Sequence, residues 1–353
     1  MSIQSTRLRE RLRERGGIDV QTVVTLGVLI AMIVIFSQLN DRFLTGDNFK
    51  NVLVQTAPVM LVGCAVTLVM IARGLDLSVG SVAAVAAVFA ASFTARHGWS
   101  LIAASLGAIA IGGIFGLVNG LLIVRLKVNP IIATLGTMNI ARGAAYLISS
   151  SAIIVGLPAG WGDLGTSSLG PIPTPVLVAI AAIAIFQLVL NRTAFGRHVY
   201  AIGGNEETAR LSGVNVDRAL VILYVLAGLT AGLAGLMMAS RFGSGDPNAY
   251  IGFEFDVIVA VILGGTSLAG GEGRVAGTVL GALIVGFLSN SLNLIGVDPF
   301  WQYVAKGSVL IFAVVLDRMV RSGSVGAQLR LPRFGGGRGA GTGGATGAPE
   351  AAA

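Results

Sequence analysis

The chain has 353 residues, 54% of them hydrophobic and only 12% charged, with a net charge of +7 and a mean hydropathy of +0.83. Soluble domains carry roughly twice that charged fraction, so a cytosolic globular enzyme, a disordered chain and a fibrous protein are excluded. An integral membrane protein remains.

Residues 1–19 are polar and carry Arg7, Arg9, Arg11, Arg13 and Arg15 ahead of an apolar run at 20–39. That run has about the length of a membrane span and is too long for a signal-peptide core. A retained first transmembrane helix with its N-terminus inside is expected. Nine further apolar segments follow at 52–71, 79–93, 101–124, 131–148, 176–190, 220–239, 257–268, 275–295 and 303–316. The expected fold class is an all-α polytopic membrane protein of about ten transmembrane helices, some broken or short, with both termini cytoplasmic. The expected organisation is a basic segment 1–19, a transmembrane domain 20–317 containing a cytoplasmic loop 191–219, and a cytoplasmic tail 318–353 that is low-complexity from residue 335 or so.

Charge agrees with this threading. The inside segments hold Arg7–Arg15, Arg125, Lys127, Arg192, Arg197, Arg210, Arg218, Arg318, Arg321, Arg330, Arg333 and Arg338, and the outside loops only Arg42, Lys50, Arg96 and Arg241. This is the positive-inside bias, and it accounts for the basic balance without nucleic acid. Asp41, Asp47, Asp163, Asp246, Glu254, Asp256 and Asp298 fall on the outside. Asp76 alone among the acids is expected away from loops and tails, which argues against ion-coupled carriage, where buried mid-span acids are needed.

Two Gly-punctuated turns interrupt the apolar pattern, 72–81 and 262–274. Paired interruptions are a feature of transporter repeats; tight cytoplasmic turns are the plainer reading. Arg73 and Asp76 are three apart and could pair on one helical face, as a clamp. The spans also hold the amides Asn119, Asn139, Asn290 and Asn293. With Asp76 they are the candidate translocation-pathway residues, weighed against interhelical hydrogen bonding. Uncharged amides suit a neutral polyhydroxy solute better than an ion. Ala227-Gly228, Ala231-Gly232 and Ala234-Gly235 are spaced for close helix approach.

The loop 191–219 contains a short helix with its punctuation in place. Asn205 is a good N-cap, Glu206 and Glu207 suit the helix start, Arg210 the last turn, and Gly213 the left-handed cap. Two turns are unstable alone in water, so this helix needs something to dock against. Ala201, Ala209 and Gly213 permit close approach.

Catalytic motifs are lacking in the sequence. Lys50, Lys127 and Lys306 are followed by Asn51, Val128 and Gly307, so there is no P-loop. His97 is expected outside and His198 inside, with no nucleophile motif at either, so no triad is credible. Two histidines far apart with one cysteine, Cys64, inside an apolar run do not supply the four ligands of a zinc site. No catalytic residue, no metal and no cofactor is expected in this chain.

Glu207-Thr208-Ala209-x-x-x-Gly213 is similar to the Glu-Ala-Ala-x-x-x-Gly loop of ABC importer permeases. More broadly, the chain resembles the ribose/simple-sugar permeases of bacterial ABC importers. The residues concerned are Gly74-Leu75-Asp76-Leu77-Ser78-Val79-Gly80-Ser81, Asn129 through Thr137, Gly203-Gly204-Asn205-Glu206 with Ala209 through Asn215, Leu263 through Gly271 with Gly273-Arg274, and Gly286-Phe287-Leu288 with Asn293 through Val297. Glu272 departs from the family, which often has Lys there.

The resemblance implies a bacterial inner-membrane permease that forms a homodimer in lipid. Its partners would be an ATPase subunit holding ATP and magnesium and an extracytoplasmic sugar-binding protein. It also implies a coupling role for Gly196, Arg197, Ala201, Gly203, Asn205, Glu206, Glu207, Ala209, Arg210 and Gly213. The solute would be ribose or a similar monosaccharide, moved by alternating access. A branched-chain amino acid or sugar-derived signal on the same architecture, and an ion-coupled carrier, are the alternatives.

Overall fold

The computed structural model describes residues 20–321; the basic segment 1–19 and the tail from 322 lie outside the described residues. The described residues up to Asp317 form one compact unit. Among the described residues the regular structure is thirteen helices and one two-stranded antiparallel hairpin. In chain order the helices are α1 (Val20–Leu39), α2 (Gly46–Ile71), α3 (Val79–His97), α4 (Leu101–Val124), α5 (Pro130–Ser149), α6 (Asp163–Thr166), α7 (Thr174–Arg192), α8 (Ala194–Gly204), α9 (Glu206–Leu211), α10 (Val216–Phe242), α11 (Phe253–Leu263), α12 (Val275–Leu294) and α13 (Pro299–Arg321). The hairpin pairs Ser168 with Pro173 between α6 and α7.

Eight of these helices (α1 to α5, α7, α10 and α12) are long and apolar enough to cross a membrane. The remaining two expected spans differ. The run at 257–268 is α11, which starts earlier, ends at Leu263 and has 11 residues. At 1.5 Å per residue it is about 16 Å long, half of a bilayer core. The run at 303–316 lies within α13, a 23-residue helix whose face carries Gln302 and Lys306.

Local chemistry sets the helix starts. Thr45 accepts from the Asn48 amide at the head of α2, Ser100 from Ala103 at α4, and Asn129 from Ile131 at α5, where Pro130 takes the first helical position.

The long central helices α2 and α3 are buried along most of their length. Around them α1, α4, α5 and α7 turn Ile and Leu side chains outward, among them Ile102, Ile114, Ile180 and Ile185. In lipid such faces need no covering protein, and packing between helices must come from shape. The α4–α10 crossing shows how: a Cβ on Gly112 would overlap the Gly228 carbonyl oxygen, and one on Gly228 the Gly112 carbonyl oxygen. The small residues at 227–235 therefore do bring backbones into contact, and Gly235 repeats this against Ala83 of α3.

The chain between α2 and α3 does not simply turn. Arg73 takes φ +64, and 74–78 run back into the protein with no regular secondary structure. Tyr224 Oη donates to the Leu75 carbonyl at 3.4 Å, about 12 Å along α10 from its inner end. Segment 72–78 is thus a re-entrant stretch, and α3 starts below the inner surface. Non-helical backbone survives at that depth because protein covers it.

The outer side mirrors this arrangement. Tyr250 Oη donates to the Gly235 carbonyl at 2.6 Å, about 10 Å inside the outer end of α10. The loop 243–252 therefore dips inward, and α11 starts at depth.

Candidate functional site

Three glycine-containing stretches that are remote in sequence meet at the inner face. The end of α2, the end of α8 and the turn 264–274 share backbone contacts. The Gly271 amide donates to the Ile71 carbonyl at 2.8 Å. Arg73 Nε donates to the Gly203 carbonyl at 2.8 Å and its Nη2 to the Gly204 carbonyl at 2.8 Å. Tyr200 Oη donates to the Gly273 carbonyl at 2.8 Å. Burial raises the Tyr200 phenol, with Arg274 nearby pulling it down less, so it stays a neutral donor. A Cβ on Gly203 would overlap the Ile71 carbonyl oxygen, so only glycine permits this approach.

The expected Arg73–Asp76 pair does not form. Helical spacing was the premise, and the segment is not helical. Arg73 points to α8, and Asp76 Oδ1 accepts from the Ser78 amide at 2.9 Å and the Ser78 hydroxyl at 2.6 Å. The two interruptions are in direct contact with one another at this junction.

The loop 191–219 is more ordered than sequence suggested. It contains α8, an 11-residue helix capped by Thr193, which accepts from the Gly196 amide at 3.2 Å. Gly196, Val199, Ile202 and Gly203 form the buried face, and Arg197 and Ala201 are exposed. The short helix expected after Asn205 is α9. Asn205 Oδ1 accepts from the Thr208 amide at 2.9 Å, and Gly213 takes φ +85. Arg210 bridges Glu206 at 3.1 Å and Asp217 at 2.8 Å.

In α9 only Ala209 is buried. Glu206, Glu207 and Arg210 face outward, and Leu211 is 84% exposed. An exposed apolar side chain on a charged helix too short to stand alone has the form of a docking contact.

The five candidate pathway residues do not converge. Asp76 is 1% exposed and Asn119 is fully buried, and the two share a chain. Asn119 Nδ2 donates to Ser78 Oγ at 2.9 Å, and Thr137 Oγ1 donates to Asn119 Oδ1 at 2.7 Å. This chain ties the re-entrant segment to α4 and α5. Asn139 is exposed and donates to Leu135 of its own helix at 2.9 Å. Asn290 donates to Asn48 Oδ1 at 2.9 Å in the interior, and Asn293 accepts from Gln302 Nε2 at 2.8 Å at the outer end of α12. Asn119→Leu removes the partner of two buried hydroxyls. It is expected to destabilise the protein by about 1–3 kcal/mol, read as earlier thermal loss of monodisperse protein in detergent, with Thr137→Val losing less.

The acids are not confined to loops and tails. Glu254 and Asp256 lie in the first turn of α11, at depth, and Glu254 is 7% exposed. Sequence reasoning also passed over Arg142, inside α5. Its Nη1 donates to the carbonyls of Pro247 and Ala249 at 2.6 and 2.8 Å, and it acts electrostatically on Glu254. Gly80, in the first turn of α3, lies against the Glu254 carboxylate and the Tyr250 carbonyl. The inner and outer re-entrant stretches therefore lead to the same place. The single-letter signal was present, since a charge inside an apolar run is a functional marker by default.

Residues 48–314 match the family described as branched-chain amino acid transport system / permease component. The ribose import permease protein RbsC of Escherichia coli K12 is 40% identical over 323 residues, covering 90% of this chain and 99% of that protein. Its namesake in Bacillus subtilis is 43% identical over 295 residues, covering 83% and 91%. The L-arabinose ABC transporter permease protein AraH of Azospirillum brasilense is 36% identical over 314 residues, covering 88% and 92%. No solved structure matches the chain. With eight long apolar helices, this is a multi-pass protein of the bacterial inner membrane. It is a member of the branched-chain amino acid transport system / permease component family, the membrane-spanning permeases of ABC importers.

Proposed function

We propose that this chain is the membrane subunit of an ATP-driven importer of ribose or a similar monosaccharide. It acts as a homodimer, and hydrolysis takes place in a separate ATPase subunit that holds ATP and magnesium. An extracytoplasmic binding protein delivers the sugar. The observation that supports this most is the inner junction. Arg73 joins the segment that re-enters the bundle to the carbonyls of Gly203 and Gly204, and α9 follows one residue later. Force applied to α9 therefore has a short, hydrogen-bonded route to the re-entrant stretch and α3.

For such a device to work, the partner must bind the inward- and outward-open states differently. Leu211 is the exposed apolar anchor for that contact. Leu211→Asp is expected to weaken ATPase binding by about 30-fold, the size of an interface hot spot, while the permease elutes as wild type. Affinity titration of nucleotide-free ATPase onto the reconstituted permease checks this. Unchanged affinity together with unchanged uptake contradicts the docking role. Uptake assays with D-ribose, L-arabinose and L-leucine test the solute class, and accumulation of leucine alone contradicts a sugar.

A further inference from the structure

A cavity of 390 Å³ lies between α11 and α13, in the range of small-ligand sites. Its polar groups are few and placed. Lys306 Nζ donates to Asp256 Oδ2 at 2.8 Å, with both side chains partly open to the cavity. Gln302 lines it as well, and its Nε2 also holds Asn293 Oδ1. The rings of Phe255 and Tyr303 are 49% and 56% exposed and complete the wall.

Depth makes this arrangement informative. Lys306 is about 10 Å along α13 from Pro299, and Asp256 stands in the first turn of α11, which starts below the outer surface. Charged groups there are costly and point to a pathway. The pair sums to zero charge, so it offers no net attraction to an ion of either sign. A sugar presents what the cavity can satisfy. Each hydroxyl both donates and accepts, so hydroxyls at the rim of the pair can donate to the open lone pairs of the carboxylate and accept from the remaining N–H groups of the ammonium. Its C–H faces are apolar and suit exposed aromatic rings.

We propose that the α11–α13 cavity is a hydroxyl-binding station for a neutral monosaccharide, on the solute's route inward from the outer face. Asp256 and Lys306 bind the hydroxyl rim, Tyr303 and Phe255 pack the ring face, and Gln302 with Asn293 forms the outer approach. This rests on the sugar reading above.

The test uses the full chain in lipid nanodiscs, without ATP or partners, and D-ribose as the probe. Saturation-transfer NMR is expected to show transfer to D-ribose in the wild type. D256N and K306M are each expected to weaken binding about tenfold, the size of a lost hydrogen bond to a charged group, and Y303A about tenfold through the lost ring contact. The reversed pair D256K with K306D separates binding from clamping. A clamp is restored by reversal, whereas a binding geometry is not, so the reversed pair is expected to regain thermal stability but not ribose transfer. Y303A leaves the ion pair in place and serves should the charge variants misfold. No transfer in the wild type, transfer unchanged within about twofold in Y303A, or transfer regained by the reversed pair overturns the proposal. Failure of the importer reading shows separately, as absence of ATP-driven sugar accumulation by the complete complex.

Discussion

Gly203→Val is expected to disconnect hydrolysis from transport. The new Cβ overlaps the Ile71 carbonyl oxygen and sits 2.5 Å from the Gly271 amide, so α8 must move off the end of α2. That displacement breaks the Arg73 bonds to the Gly203 and Gly204 carbonyls and disturbs the Gly271 bond to Ile71. Coupling energies between sites are typically about 1–3 kcal/mol, or 5–150-fold. ATP-driven uptake is therefore expected to fall by a factor at the upper end of that range. Exposed α9 remains available to bind the ATPase, so nucleotide hydrolysis by the complex persists and loses its dependence on solute. Parallel uptake and phosphate-release assays on one batch of proteoliposomes check this. Gly204→Ala is the control, because a Cβ there meets nothing within 4 Å; it is expected to retain coupling. Equal coupling ratios in wild type and Gly203→Val contradict the junction's role.

Gly228→Leu is expected to unfold the bundle. Its Cβ alone overlaps the Gly112 carbonyl oxygen and lies 2.9 Å from the Gly116 amide. The facing atoms are backbone and cannot rotate away. Overpacking typically costs about 1–3 kcal/mol, and a helix–helix contact through backbone stands at or above the top of that range. In lipid no hydrophobic force compensates for lost fit. Little monodisperse protein is expected at ordinary growth temperature, with a thermal midpoint lowered by several degrees in whatever is recovered. Gly27→Ala in α1, with nothing within 4 Å, is expected to be neutral or to gain up to about 1 kcal/mol of helix propensity. Size-exclusion profiles after a temperature series compare the two. If Gly228→Leu matches Gly27→Ala, the crossing does not hold the fold together.

The parts legible in the sequence are those governed by local or summed chemistry. Apolar run length and the Arg-rich inside segments marked the long spans, because hydropathy and charge bias are sums over many residues. Asn205 and Gly213 marked α9, because caps act through bonds only a few residues long. Close approach along Gly228, Gly232 and Gly235 followed from spacing alone. Depth was not legible. An apolar window averages over a single Arg142, a Glu254 just ahead of an apolar run reads as loop, and the boundary of the run does not say how far a chain dips before its helix begins. Hence α11 read as a longer, later segment than the half-length helix starting at Phe253. Arg73 and Asp76 misled because three-residue spacing implies pairing only on a helix; the alternation Leu75-Asp76-Leu77 is the two-residue period of extended backbone. Helix α8 lacked an apolar run, although Thr193 three residues before Gly196 was a usable start signal. The meeting of 72–78, α8 and 264–274 depends on tertiary folding, and no local pattern announces it.

Energy source is the central question, and one preparation answers it. The permease is reconstituted in proteoliposomes once alone and once with its ATPase and binding protein, and accumulation of D-ribose is followed under ATP, an imposed pH difference or an imposed sodium difference. Concentrative uptake is expected only with ATP and all components present. Accumulation by the permease alone under either ion gradient contradicts the account.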